Sequence, residues 1–164
     1  MVNTDLDLNT KTTIGCNMNF QRKGSKSNAQ VGRTFEALAQ NIFKKQGLLL
    51  EAGLSVAVGI NGAKAHKFDL GNKSEKVLVE CKAHKWTEGD NVPSAKLTVW
   101  NEAMFLFHAA PAGYRKILFI LKDYSKKREE TLGEYYIRTY SHLIPSDVEV
   151  WECDEVQCRA NKIK

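Results

Sequence analysis

Lys67–His84 reads KFDLGNKSEKVLVECKAH, two strand-like runs joined by a turn. In an extended chain alternate side chains share a face. Along Lys76–His84, Val77, Val79, Cys81 and Ala83 take one face, all apolar or small. Lys76, Leu78, Glu80, Lys82 and His84 take the other. Glu80 and Lys82 therefore emerge side by side, about 7 Å apart at their Cα atoms. In the preceding run Phe68 and Leu70 point one way and Asp69 the other. If the two runs are neighbours, Asp69 and Glu80 converge on one point. Converging carboxylates make a hard-oxygen site of the kind that suits Mg²⁺, with Mn²⁺ as a substitute. An adjacent lysine adds a cation that can hold a phosphate or polarise a water.

Outward from this segment the pattern alternates between the periods of helix and strand. On the N-terminal side, Val31, Phe35, Leu38 and Ile42, with Ala39 and Phe43 widening the stripe, predict a helix from Ala29 that stops at Gly47. Glu36 lies at the edge of that stripe, where Gly32 and Ala39 leave room beside a sheet, and Gln40 one turn on can face the same space. Leu54–Ile60, His66–Leu70 and Lys76–His84 read as three short turn-linked strands. On the C-terminal side a second helix runs from about Ala95 to Ala109, with Leu97, Trp100 and Met104 as its stripe. Arg115–Lys122 contains the continuous apolar run of a strand buried on both faces. Ser125–Glu130 reads as a charged, self-neutralised loop, and Tyr135–Tyr140 and Val148–Glu152 as later strands. The order is that of an α/β domain with a mixed sheet. We expect an irregular arm over residues 1–28, the domain over 29–155 and a frayed basic tail over 156–164.

The 164 residues are 43% hydrophobic and 26% charged, with a mean hydropathy of −0.39. This is an ordinary globular composition, unlike that of a disordered or collagen-like chain. The longest apolar run, Ile117–Leu121, is far short of the ~20 residues of a membrane span. Residues 1–28 lack the apolar core of a secretory signal, so the expected compartment is the cytoplasm. A net charge of +5 permits nucleic-acid binding without requiring it. Cys16, Cys81, Cys153 and Cys158 read as free thiols. No second Cys/His pair accompanies the C-x4-C spacing of Cys153 and Cys158, so no structural zinc is expected.

Acid-x-lysine alone is a common tripeptide. Here it falls in the best β-pattern of the middle region, with an acid upstream and a helix after it. That combination resembles the PD-(D/E)XK nuclease superfamily, whose restriction-endonuclease-like core runs α-β-β-β-α-β. The resemblance covers roughly residues 30–122, with Phe68 where the family often has proline. It implies a metal-dependent DNA phosphodiesterase in which Asp69 and Glu80 hold Mg²⁺, Lys82 stands beside the attacking water, and Glu36 is the additional acid of the first helix. Arg33, Lys44, Lys85, Lys96 and Asn101 would border such a site as DNA contacts. Cutting both strands of a duplex would take two copies, for which a C2 homodimer is economical.

Other readings of the same residues stand beside this one. Glu80 and Lys82 could form an ordinary ion pair on a half-exposed strand, worth ~1 kcal/mol or less. The preceding Val-Leu-Val argues against that, because charges placed in an interior strand need a reason. His66 and His84 are either surface residues or phosphate contacts, and Trp86 either closes the core or stacks on a base. Cys81 points away from the site face. The alternative to an enzyme is a non-catalytic α/β module that binds nucleic acid or a protein and keeps the nuclease fold.

Overall fold

The apolar stripe of the first helical segment forms α1 (Asn28–Lys45), with Phe35, Leu38, Ala39, Ile42 and Phe43 buried. This computed structural model describes residues 27–61 and 63–164, so the arm expected over residues 1–28 lies almost wholly outside the described residues. Ser27 starts α1 as N-cap, its hydroxyl accepting from the Gln30 N–H. Gly47 ends it: at φ +86 it donates to the Lys44 carbonyl while Leu48 donates to Phe43, the bonding pattern of a left-handed helix stop.

After α1 come β1 (Glu51–Val58), β2 (Lys64–Asn72), β3 (Val77–Lys82), α2 (Ser94–Ala109) and β4 (Arg115–Leu121). Then follow the two-residue strands β5 (Tyr124–Ser125) and β6 (Glu130–Thr131), α3 (Leu132–Tyr140), β7 (Val148–Asp154) and β8 (Arg159–Lys162). The main sheet is mixed, in the order β1-β2-β3-β4-β7-β8. Its centre, β3-β4-β7, is parallel, and its flanks are antiparallel. β4 is buried from Lys116 to Leu121, as expected for a strand covered on both faces. On one face α1 packs on Val77, Val79, Ile117, Phe119 and Leu121. On the other, Trp100, Met104 and Phe107 of α2 and Tyr136 of α3 cover Leu78, Leu118, Ile120 and Val150. No helix among the described residues is long and apolar enough to cross a membrane.

The C-terminal third departs from the sequence reading. Tyr135–Tyr140 is helical, because Thr131 and Glu134 form a reciprocal capping box at the start of α3 and Leu132 and Tyr136 bury one face. The strand propensity of its aromatic residues loses to that cap. The loop over Ser125–Glu130 is the β5–β6 hairpin. Within it, Arg128 is partly covered: its guanidinium lies 5.0 Å from the Trp86 ring centre and donates to the Asp90 carbonyl. The frayed tail is instead β8, paired to β7 from Trp151–Lys162 to Asp154–Arg159. Backbone bonding, which does not depend on apolar side chains, makes that strand. Cys81 and Cys153 are free thiols, whereas Cys158, in the β7–β8 turn, is disulfide-bonded, which corrects the reading of four free cysteines.

Candidate active site

The β2–β3 ladder pairs Asn72 with Val77, Gly71 with Leu78 and Leu70 with Val79, and stops there. The next pair would set Asp69 opposite Glu80. Instead the Asp69 carboxylate accepts the Cys81 backbone N–H at 2.8 Å, a side chain taking the place of the missing ladder bond. β2 rolls over at this point, so that Phe68 and Leu70 enter opposite cores rather than the single face expected from alternation. Gly53, opposite Asp69 in the β1 register, adopts φ +72, a conformation that favours glycine.

The separated strand ends gather the predicted charges. Lys82 Nζ lies 2.5 Å from Glu80 Oε2 and 3.6 Å from Asp69 Oδ2. His66 Nε2 lies 3.5 Å from Glu80 Oε1. Glu36 faces the same group from α1. Burial raises its pKa, the Asp69 and Glu80 carboxylates add to the rise, and Lys82 opposes them. Burial also raises the Glu80 pKa against the pull of Lys82, with Asp69 pushing the same way as burial. For Lys82, burial works against the ammonium, but the two carboxylates outweigh it and hold its pKa above the ordinary lysine value. Glu80 and Lys82 thus pull on each other in the expected sense, and burial decides the direction only for the acid.

Three carboxylates against one ammonium leave an excess of negative charge in a half-buried place. Among the described residues no group of three or more His, Cys, Asp and Glu side chains is disposed to hold a metal ion. Asp69 and Glu80 close on Lys82 instead. Their donor chemistry still fits Mg²⁺, which takes one or two carboxylates and keeps its remaining ligands as water.

The other expected residues divide. Arg33 is exposed one turn before Glu36, and its charge is felt there. Lys96, exposed in the first turn of α2, is felt at His84. Lys44 stands in the last turn of α1, about 12 Å along the axis from Glu36. Lys85 is paired with Glu155 at 3.3 Å. Asn101 accepts from the buried Tyr136 hydroxyl at 2.9 Å, so packing of α2 on α3 claims it. Gln40 donates to the Leu50 carbonyl and ties down the α1–β1 loop. Trp86 is buried and donates its indole N–H to the Asp123 carbonyl, which makes it core. Burial, and then Asp69, push the Cys81 thiol well up.

Two features escaped the sequence. Buried Glu152 accepts from the Thr131 hydroxyl at the start of α3, and a Cβ on Gly133 would come within 2.4 Å of its Oε1. The capping motif Thr131-x-x-Glu134 was its available signal. His84 accepts at Nδ1 from the buried Trp100 indole N–H at 2.8 Å, a pairing across elements that no local pattern announces.

Burial, then the charges of Lys96 and Lys82, push the His84 pKa down to about 4. Between that value and 6.5 the unfolded chain binds the proton that the folded one refuses, so stability falls as pH drops through this window. Urea unfolding at pH 7.5 and 4.5 is expected to show a smaller acid loss in His84→Gln than in wild type. The difference is about 1–2 kcal/mol once screening at this partly exposed ring is allowed for. Glu36, Glu80 and Glu152, whose raised pKa values act in the opposite sense, are common to both proteins. Equal acid losses would refute the assignment.

Comparison with protein-family models, with curated proteins and with solved structures finds no match.

Proposed function

We propose that this protein is a metal-dependent endonuclease of the PD-(D/E)XK type that hydrolyses phosphodiester bonds in duplex or branched DNA. The observation that carries the reading is the parting of β2 and β3 at Asp69, which gathers Asp69, Glu80 and Lys82 where Glu36 faces them. The order α1-β1-β2-β3-α2-β4, with β3 and β4 parallel in a mixed sheet, is consistent with that family's restriction-endonuclease-like core. Asp69 and Glu80 are the residues that would hold Mg²⁺ or Mn²⁺. When bound, such an ion supplies an activated water and neutralises charge on the phosphoryl oxygens.

The chain's own groups do the rest. Lys82, released from Glu80, presents an ammonium to the attacking water and to the charge that develops on phosphate. Asp69, through the Cys81 N–H, fixes the strand end that carries both. Glu36 would accept a hydrogen bond from the water. Arg33 and Lys96 are rim cations for the flanking backbone.

The test is incubation with supercoiled plasmid and with a four-way junction in Mg²⁺, Mn²⁺ or EDTA. Metal-dependent nicking is the expected result. If none is seen, and no Mg²⁺-dependent or Mn²⁺-dependent thermal shift disappears in Asp69→Asn, the non-catalytic binding module takes its place. Double-strand cleavage is proposed to use a homodimer, so light scattering under cleavage conditions is expected to report two copies. A strict monomer making double-strand breaks would overturn that part.

A further inference from the structure

The chain leaving β3 carries a donor that the reading above does not use. Trp100 is wholly buried, and its indole N–H has no acceptor role to offer. Because it donates to His84 Nδ1, that nitrogen must be the unprotonated one, and the ring proton sits on Nε2. The ring also lies nearly parallel to the indole, at 16° and 6.2 Å between centres, so its plane is held as well as its tautomer. Nε2 has no hydrogen-bond partner among the described residues, and His84 is partly open to solvent.

The electrostatic surroundings decide what this N–H can meet. Lys82 and Lys96 are the charges felt at His84, both positive. They disfavour an imidazolium, and Lys96 stands one turn before Trp100 on α2, the residue that holds the neutral ring. Lys82 is taken up by Glu80 and Asp69, whereas His84 Nε2–H and Lys96 have no acceptor among the described residues, and free donors fit an anion. His84 follows Lys82 by two residues, about 7 Å along an extended chain.

We propose that His84 Nε2–H and Lys96 form a phosphate subsite for the DNA backbone beside the reacting centre, with Trp100 as the positioning residue that fixes the histidine tautomer. The proposal rests on the nuclease reading and gives it a second contact point on the strand. Because the donor is neutral and fixed, the contact persists across neutral pH.

The experiment uses the full chain with ¹⁵N-labelled histidine in EDTA, titrated with a short DNA duplex, and records imidazole nitrogen spectra beside affinities. His84 is expected to be protonated at Nε2 alone from pH 5.5 to 8 and to shift on saturation with duplex. His84→Ala is expected to lose about 10-fold or more in duplex affinity, the usual worth of a hydrogen bond to a charged group. His84→Gln, whose amide can accept from Trp100 and still donate, is expected to stay within about threefold of wild type, which a merely structural partner for the indole would not require. Lys96→Ala is expected to weaken binding and to flatten its salt dependence.

A proton on Nδ1, an unmoved His84 signal at saturation, or unchanged affinity in His84→Ala would each overturn the subsite. Plasmid cleavage in Mg²⁺ by the same preparation separates the two ideas. Cleavage with an unmoved His84 removes the subsite alone. A shifted His84 without cleavage upholds the subsite and removes the nuclease. Absence of duplex binding removes the subsite whatever the cleavage result.

Discussion

Lys82→Ala is expected to reduce metal-dependent plasmid nicking by about 10²–10³-fold, the usual loss when one preorganised charge donor is taken from a reacting centre. The variant is expected to fold. Glu80 loses its partner, but burial already raises its pKa, so it can take up a proton instead of remaining a bare buried charge. Time courses of supercoiled-plasmid conversion measure the effect, with circular dichroism reporting the fold. Asp69→Asn is the companion variant. An amide oxygen can still accept the Cys81 N–H, so the strand end keeps its anchor while a charged oxygen is removed. Nicking by Lys82→Ala within threefold of wild type would sink the assigned role.

Phe119→Ala is expected to destabilise the protein by about 3–5 kcal/mol, the range for deleting a buried aromatic ring from a core. Phe119 is fully buried at the centre of the sheet. Its ring lies 5.3 Å from that of Phe35 and 5.5 Å from that of Phe43, so it ties β4 to α1. Glu36 rides on the same helix. The variant is therefore expected to lose activity as well as stability even when folded at low temperature. Urea midpoints with an unchanged slope give the stability change. A loss below about 1 kcal/mol would mean that α1 is held by other contacts.

The sequence made legible what depends on period. The stripe from Val31 to Phe43, the alternation from Val77 to Ala83 and the apolar run at Ile117–Leu121 each state a face, and together they place Asp69, Glu80 and Lys82 near one another. It could not show what depends on which neighbour claims a side chain. Asn101 looked like a free polar group until Tyr136 needed an acceptor, and Lys85 until the β7–β8 turn brought Glu155 beside it. Tyr135–Tyr140 has strand composition, and the cap at Thr131 together with burial of Leu132 and Tyr136 overrides it. Residues 159–162 have no apolar alternation to read, since β7 recruits them through the backbone. The reversal between Phe68 and Leu70 follows from a ladder that ends one pair early, a break that alternation cannot foresee.

The mixed sheet also sets the tempo at which the chain can be built. Its flanks are hairpins between neighbours in sequence, but the parallel centre joins Val77 to Arg115 and Lys116 to Val148, each closing a long stretch of chain. Closing such loops costs entropy before any contact repays it. Asp69, Glu80 and Lys82 all lie on the local β2–β3 hairpin, whereas the β4 residues that enclose it from the next strand arrive only with the distant pairing. Refolding speed is therefore governed by the docking of β4 against β3 and β7, and substitutions along that seam register in the folding rate, while changes to the site's charges register mainly in how long the finished structure lasts.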